Sequence, residues 1–145
     1  MVHHWNRVYG RSGFLQWQCA VPLDATDDLR WIIARLAESG CSSFLNVLKR
    51  FGPGNDGPLS FPMAGWTLAI DVPTAGLPGL ATLLDRLDER VVEVGGRLYL
   101  AKDSRMAPEL LAPMYPRLDE WRKVRDHADP DRLFTSDMAR RLGLH

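Results

Sequence analysis

FLQWQCAV, residues 14–21, decides the fold, because hydrophobic and less hydrophobic side chains alternate along it. One side of this segment carries a hydrophobic residue at every second position, namely Leu15, Trp17, Cys19 and Val21. The other side carries two glutamines, Gln16 and Gln18. Alternation with a period of two is typical of a β-strand that has one face against a hydrophobic core. The segment therefore predicts a sheet whose second face is polar and accessible.

Strand and helix patterns follow one another outward from this segment. Hydrophobic residues with helical spacing predict helices over about 25–39 and 80–94, and a glycine stands where each should end. Further strands are predicted over 43–51, 65–72 and 97–102. This order predicts an α+β fold of the split βαββαβ type. Its four-stranded antiparallel sheet would carry helices on one face and leave the other free.

A single domain is expected over residues 1–145, because no repeat or linker interrupts a chain long enough to bury one core. The sheet unit would span about 12–103, and a helical carboxy-terminal arm would span 104–145. Hydrophobic residues at 46% and charged residues at 25% favour a globular rather than a disordered chain.

Composition argues against several classes of protein. Eighteen basic and eighteen acidic residues cancel, so no positive footprint predicts binding to nucleic acid. Cys19 and Cys41 have no further ligand at metal-binding spacing, and no metal site is expected. We see no secretory signal and no run of about 20 apolar residues, and expect a cytoplasmic protein or one peripheral to the cell membrane.

Few residues suggest chemistry on their own, since no signature of independent catalysis is present. Lys49 and Lys102 lie late in predicted strands, where an ammonium group can face a cleft; a lysine snorkelling at a sheet edge would look the same. In a regular strand Lys102 would point to the same side as Leu98 and Leu100, which is the core side. Only a bulge or the end of the strand would let it point elsewhere. The paired glutamines of the first strand could bind a polyhydroxy ligand or simply be solvated.

Several motifs together resemble one family. They are SFLNVLKRFGP at 43–53, PLSFP at 58–62, GGRLY at 95–99, AKDSR at 101–105 and SDMARRL at 136–142. In these motifs the chain is similar to flavin-dependent sugar oxidases of the decaprenylphosphoryl-ribose 2'-oxidase type. These belong with the aldonolactone oxidases among flavoproteins of the vanillyl-alcohol oxidase type. The resemblance covers the family's carboxy-terminal portion, which forms a cap over the flavin, and implies that the amino-terminal FAD-binding domain is absent from this chain.

The resemblance also implies roles for individual residues. Lys102 would be the catalytic residue, lying beside the FAD and the sugar and stabilising negative charge on the reduced ring. Tyr99 and Ala101 would contact the FAD together with Lys102. The residues implied to line the substrate pocket are Gln16, Gln18, Leu45, Lys49, Phe51, Asn55 and Thr67.

The implied reaction is hydride transfer from the ribose C2' of a polyprenyl-phosphate sugar to FAD. A partner keto-reductase would then convert the 2'-keto product. Aldonolactone oxidases of the wider family commonly have His-Trp-x-Lys at the equivalent lysine. Here the sequence around Lys102 reads Ala-Lys-Asp-Ser, which favours the branch that acts on lipid-linked sugars.

The sequence departs from the best-known members of the family at Thr67 and Ala69, where those members have asparagine and cysteine. Loss of the thiol should remove sensitivity to inhibitors that bond covalently to it. Three hypotheses follow: an oxidase half that works with a separate FAD-binding domain or chain, a non-enzymatic cap acting as a sugar-phosphate or protein-interaction module, or a gene fragment. Self-association is also expected if the surface that meets the flavin domain is exposed and apolar.

Overall fold

The structure is a computed structural model that describes residues 3, 10–41, 43–74 and 76–144. Its sheet contains strands β1 (Phe14–Pro22), β2 (Asn46–Phe51), β3 (Gly65–Pro73) and β4 (Arg97–Leu98). The helices are α1 (Thr26–Glu38), α2 (Leu80–Glu93), α3 (Leu111–Met114), α4 (Leu118–Ala128) and α5 (Asp137–Leu142), and short 3-10 turns span Leu23–Ala25, Leu100–Lys102 and Pro108–Leu110.

The four strands form one antiparallel sheet in the order β2-β3-β1-β4. Strand β1 pairs with β3 along its whole length, from Phe14 opposite Pro73 to Pro22 opposite Gly65. At that last pair only glycine fits, since a Cβ on Gly65 would collide with the carbonyl oxygen of Val21. The order of elements and the sheet confirm the predicted α+β fold.

The hydrophobic core lies between the sheet and helices α1 and α2. The strand positions predicted to face inward are buried there, and the helices contribute residues spaced three or four apart. The central members of this core are Trp17, Cys19, Val21, Leu68, Ile70, Val72, Leu29, Ile32, Leu36, Leu84, Leu87 and Val91. Each large side chain buried in this way stabilises the fold by roughly 1.5–3 kcal/mol.

The carboxy-terminal arm packs onto the same core rather than standing apart from it. Met106, Leu111, Met114, Leu118 and Leu142 are all buried in the same hydrophobic cluster as the sheet. The buried Tyr115 hydroxyl donates a hydrogen bond of 2.6 Å to the carbonyl oxygen of Leu98. The arm therefore closes the β4 end of the sheet unit. No helix among the described residues is long and apolar enough to cross a membrane.

The fourth strand is shorter than predicted, and this corrects the expected position of Lys102. The strand ends at Leu98, and the N–H of Tyr99 makes one more bond to the sheet, 2.9 Å from the carbonyl oxygen of Gln18. The chain then turns, because the N–H of Lys102 donates to the Tyr99 carbonyl oxygen at 2.9 Å. Lys102 therefore lies in a 3-10 turn, which releases it from the inward parity of Leu98.

Candidate functional site

The face of the sheet opposite α1 and α2 carries a cavity of about 160 Å³, called the sheet pocket below. Its walls come from β1, β2, β3 and the 3-10 turn after β4. The lining residues are Gln16, Gln18, Leu45, Val47, Lys49, Phe51, Thr67, Ala69, Asp71 and Lys102.

Strand register explains why these side chains meet. Gln16 lies opposite Asp71, while Gln18 lies opposite Ala69, and on the other side of β3 Lys49 lies opposite Thr67. Alternate residues of a strand point to the same face, so three neighbouring strands place their polar members side by side. The pocket is thus a consequence of the same alternation that builds the core behind it.

Hydrogen bonds to β3 fix both glutamine side chains. Gln16 Nε2 donates to Asp71 Oδ1 at 2.9 Å, and Gln18 Nε2 donates to Thr67 Oγ1 at 3.0 Å. The Thr67 hydroxyl in turn donates to the Cys19 carbonyl oxygen at 2.8 Å. Because each amide uses its NH₂ group on the protein, its Oε1 is oriented to accept a hydrogen bond from a ligand hydroxyl.

The charge of the sheet pocket is positive. Lys49 and Lys102 both line it, and neither takes part in any ion pair found among the described residues. The carboxylate in the wall, Asp71, already accepts from Gln16. Two ammonium groups beside one engaged carboxylate favour an anionic ligand, such as a phosphate or a ring that gains negative charge.

A row of aromatic rings runs beside the pocket. Phe51, in the pocket wall, meets Phe61 edge-on with ring centroids 5.8 Å apart. Phe61 stacks on Tyr99 with centroids 4.6 Å apart. Tyr99 borders a second, smaller concavity that shares Gln16, Gln18 and Lys102 with the sheet pocket. Lys102 therefore borders both concavities, and Tyr99 of the aromatic row borders the smaller one with it.

Two of the residues implied by the resemblance lie elsewhere. Asn55 lies in the loop after β2, where its Oδ1 accepts a hydrogen bond of 2.9 Å from the Gly57 N–H, and it lines neither concavity. Ala101 is exposed on the 3-10 turn and also lines neither. Val47 and Asp71 line the sheet pocket although no role was predicted for them, and Ala69, predicted only as the position of the family's thiol, lines it too; the alternation of β2 and β3 was the signal that could have identified them.

Behind the pocket, a buried carboxylate ties β1 to the segment that follows Lys102. Trp17 Nε1 donates to Asp88 Oδ1 at 2.8 Å, and Arg105 Nη1 donates to Asp88 Oδ2 at 2.6 Å. Burial raises the pKa of Asp88 to about 6, although both donors oppose the shift. Asp88 falls among the core-facing positions of α2, and an acidic residue at such a position is the sequence signal that could have identified this network.

A second ion pair holds the same segment from the other side. Asp103 Oδ1 accepts from the N–H groups of Arg105 and Met106, at 3.1 and 2.8 Å. Its Oδ2 accepts from Arg141 Nη2 of α5 at 2.7 Å. Arg141 also donates to the Met106 carbonyl oxygen at 2.6 Å. The residue next to Lys102 is thus anchored to the carboxy-terminal arm, which limits where the lysine can move.

The residues present fit the ring end of a flavin better than its phosphates. A cation, two amide groups and a stacked aromatic pair suit a planar ring that becomes anionic. Among the described residues we find no glycine-rich turn that links a strand to a helix in the way dinucleotide phosphates require. The phosphate end would therefore need protein from outside the part described.

Ala69 offers a direct test of the pocket wall. The Ala69→Cys variant should react readily with iodoacetamide at the introduced thiol, and ribose 5-phosphate should slow that reaction. Of the native thiols, Cys19 should stay unreacted, since it is fully buried and burial raises its pKa to about 12. Partly exposed Cys41 serves as the internal control, because it lies outside the sheet pocket. Peptide mass spectrometry would measure the labelling; an introduced thiol that reacts no faster than Cys19 would contradict the assignment.

Comparison with known proteins adds two kinds of match. Residues 20–142 match the family described as D-arabinono-1,4-lactone oxidase. Over 144 residues the chain is 53% identical to the decaprenylphosphoryl-beta-D-ribose oxidase of Mycolicibacterium smegmatis, covering 99% of this chain and 31% of that protein. It is also 51% identical over 133 residues to an uncharacterized protein in the mprA 5' region of Streptomyces coelicolor, covering 92% of this chain and 36% of that protein. The chain spans about a third of the length of these curated relatives.

Proposed function

The chain belongs to the D-arabinono-1,4-lactone oxidase family, and from this premise we propose that it forms the substrate-binding part of an FAD-linked oxidase. Oxidases of this family are FAD-linked in general. The proposed substrate is a polyprenyl-phosphate ribose, oxidised at its 2'-hydroxyl, in keeping with the name of the M. smegmatis relative. A separate FAD-binding domain or chain would complete the site, and a keto-reductase would consume the product.

One observation carries this proposal. The fold gathers seven of the implied residues around one cavity although they come from four separate segments of the chain; they are Gln16, Gln18, Leu45, Lys49, Phe51, Thr67 and Lys102. The ammonium groups of Lys49 and Lys102 form no ion pair among the described residues and lie beside two oriented amides. A domain with a purely structural role would not need this arrangement. Their grouping supports a site for an anionic, polyhydroxylated ligand.

Each wall of the sheet pocket can be given a task in this reaction. Lys49 lies on the edge strand β2 and suits the phosphate, whereas Lys102 borders both concavities beside Tyr99 and suits the reacting end. Gln16 and Gln18, held by β3, would accept hydrogen bonds from ribose hydroxyls and so orient C2'. Bound FAD would supply the hydride acceptor. The Lys102 ammonium group would stabilise the negative charge that the acceptor gains.

Flavin absorbance tests the proposal directly. The chain would be purified alone and after co-expression with the two-thirds of the M. smegmatis relative that this chain does not span, which the proposal takes to be the FAD-binding part. We expect the visible absorption band of bound flavin only after co-expression, and bleaching of that band when polyprenyl-phosphate ribose is added without oxygen. A co-purified flavin that the substrate never reduces, or no flavin in either sample, would refute the proposal.

A further inference from the structure

A second concavity, called the edge groove below, lies on the helix side of the sheet where β2 extends past the cover of α1. Its volume is about 340 Å³, within the usual range for ligand sites. Buried core residues Leu36, Leu68 and Ile70 form its floor, so the hydrophobic core opens to the surface here. The remaining lining residues are Ile33, Ala37, Cys41, Ser43, Asn46 and Leu48.

The edge groove and the sheet pocket are the two sides of one strand. Along β2, Val47 and Lys49 face the sheet pocket while Asn46 and Leu48 face the edge groove. At the start of the strand, Leu45 belongs to the sheet pocket and its near neighbour Ser43 to the edge groove. Exposed hydrophobic side chains lie at that end of the strand, where Leu45 is 44% and Phe44 66% exposed. An apolar path therefore connects the two concavities around the end of β2.

The chemistry of the edge groove favours a hydrocarbon. None of its lining residues is charged, and the Ser43 hydroxyl and the Asn46 NH₂ group donate to the protein itself. The Ser43 hydroxyl donates to the Leu45 carbonyl oxygen at 2.8 Å, and Asn46 Nδ2 donates to the Ser43 carbonyl oxygen at 3.4 Å. A hydrocarbon needs no hydrogen bonds, so an uncharged groove lined mainly by apolar side chains suits it.

We propose that the edge groove binds the first isoprene units of a polyprenyl phosphate whose phosphate and sugar occupy the sheet pocket. This inference rests on the proposed function and extends it to the lipid. Lys49 and Leu48, adjacent on β2, would then contact the head and the tail of one ligand. Stacked sheets pack about 10 Å apart, so the two faces of a sheet with their side chains are separated by a distance that a short isoprenoid can span.

The test uses the full chain, with labelled leucine and isoleucine methyl groups and labelled glutamine amides, observed by NMR. Ribose 5-phosphate, as the head-group probe, should shift the Gln16 and Gln18 amide signals and leave the methyl signals of Ile33 and Leu48 unmoved. Farnesyl phosphate, which carries no sugar and is used below its micelle concentration, should shift the methyl signals of Ile33 and Leu48. If ribose 5-phosphate shifts the glutamines but farnesyl phosphate leaves the methyl groups unmoved, the tail site is refuted while the proposed function stands. If neither ligand shifts the glutamines, the proposed function fails as well.

Substitutions separate the tail from the head. Leu48→Ser should weaken farnesyl phosphate binding roughly tenfold and leave ribose 5-phosphate binding unchanged, because a half-exposed leucine contributes apolar contact only. Ile33→Ser on α1 is a second, independent variant. Leu133→Ser is the matched control, since Leu133 is 76% exposed and lies outside the edge groove. Equal weakening in the control, or none in both groove variants, would overturn the inference.

A protein partner is the competing occupant, and the same spectra detect it. If a second copy of the chain covers the edge groove, the Ile33 and Leu48 methyl signals should shift with protein concentration in the absence of ligand. Farnesyl phosphate should then fail to displace that copy. This outcome would refute the lipid site. Methyl signals that are independent of protein concentration and respond only to the isoprenoid would support it.

Discussion

Replacing Lys102 with alanine in the complemented oxidase should lower kcat by about 10²–10³-fold, the cost of losing one preorganised group that stabilises developing charge. The ammonium group lines both concavities and has no ion-pair partner among the described residues, so its charge is available to a ligand. KM should change little, because the interaction matters most when the acceptor becomes anionic. Steady-state kinetics with polyprenyl-phosphate ribose would measure both constants.

Two other lysines serve as controls for this prediction. Lys49→Ala should mainly raise KM, because that residue would bind phosphate in substrate and transition state alike. Lys123→Ala should change neither constant, since Lys123 is exposed on α4 and lines neither concavity. Flavin content must be equal in all variants. If the Lys102→Ala enzyme had an unchanged kcat and a raised KM, the role of Lys102 would be substrate binding rather than catalysis.

How far the sequence predicts this molecule depends on the range of the interactions. The alternation in 14–21 and 65–72 predicted both faces of the sheet, because side-chain direction in a strand is a local property. The predicted strand over 97–102 was too long, because a 3-10 turn over Leu100–Lys102 ends it and the segment after the turn is held by Arg141, which bonds Asp103 from far along the chain. Distant partners of that kind leave no periodic signal.

The candidate site shows the same division. Gln16, Gln18 and Thr67 could be placed on one face from alternation, and the structure adds that their side chains bond to β3 or to each other. Strand alternation predicted that Lys102 points into the core, so it could not predict that a 3-10 turn brings Lys102 to the sheet pocket. The edge groove was also unforeseen, because it arises from how far α1 covers β2 rather than from any motif.

The Asp88–Arg105 ion pair supports the largest expected effect on stability. Substitution of Arg105 by alanine should cost about 3–5 kcal/mol at pH 7, because it removes the cation paired with the fully buried Asp88, which must then stay charged without that cation or take up a proton. The partner that remains is Trp17 Nε1, a single neutral donor. Urea unfolding, followed by tryptophan fluorescence, would measure the loss.

The pH dependence of that loss identifies its cause. Burial raises the pKa of Asp88 to about 6 from 3.8, so the folded state holds a proton that the unfolded state releases between these values. The stability this contributes is complete below about pH 4 and is lost as the pH rises through 6. Arg105→Ala should therefore cost less at pH 5 than at pH 7, since a protonated Asp88 needs no cation. Arg30→Ala, which breaks an exposed ion pair, should cost under about 1 kcal/mol at both. If the Arg105→Ala loss were equal at both pH values, it would come from packing of the arginine stem or from its ion pair with exposed Asp85 rather than from the buried charge.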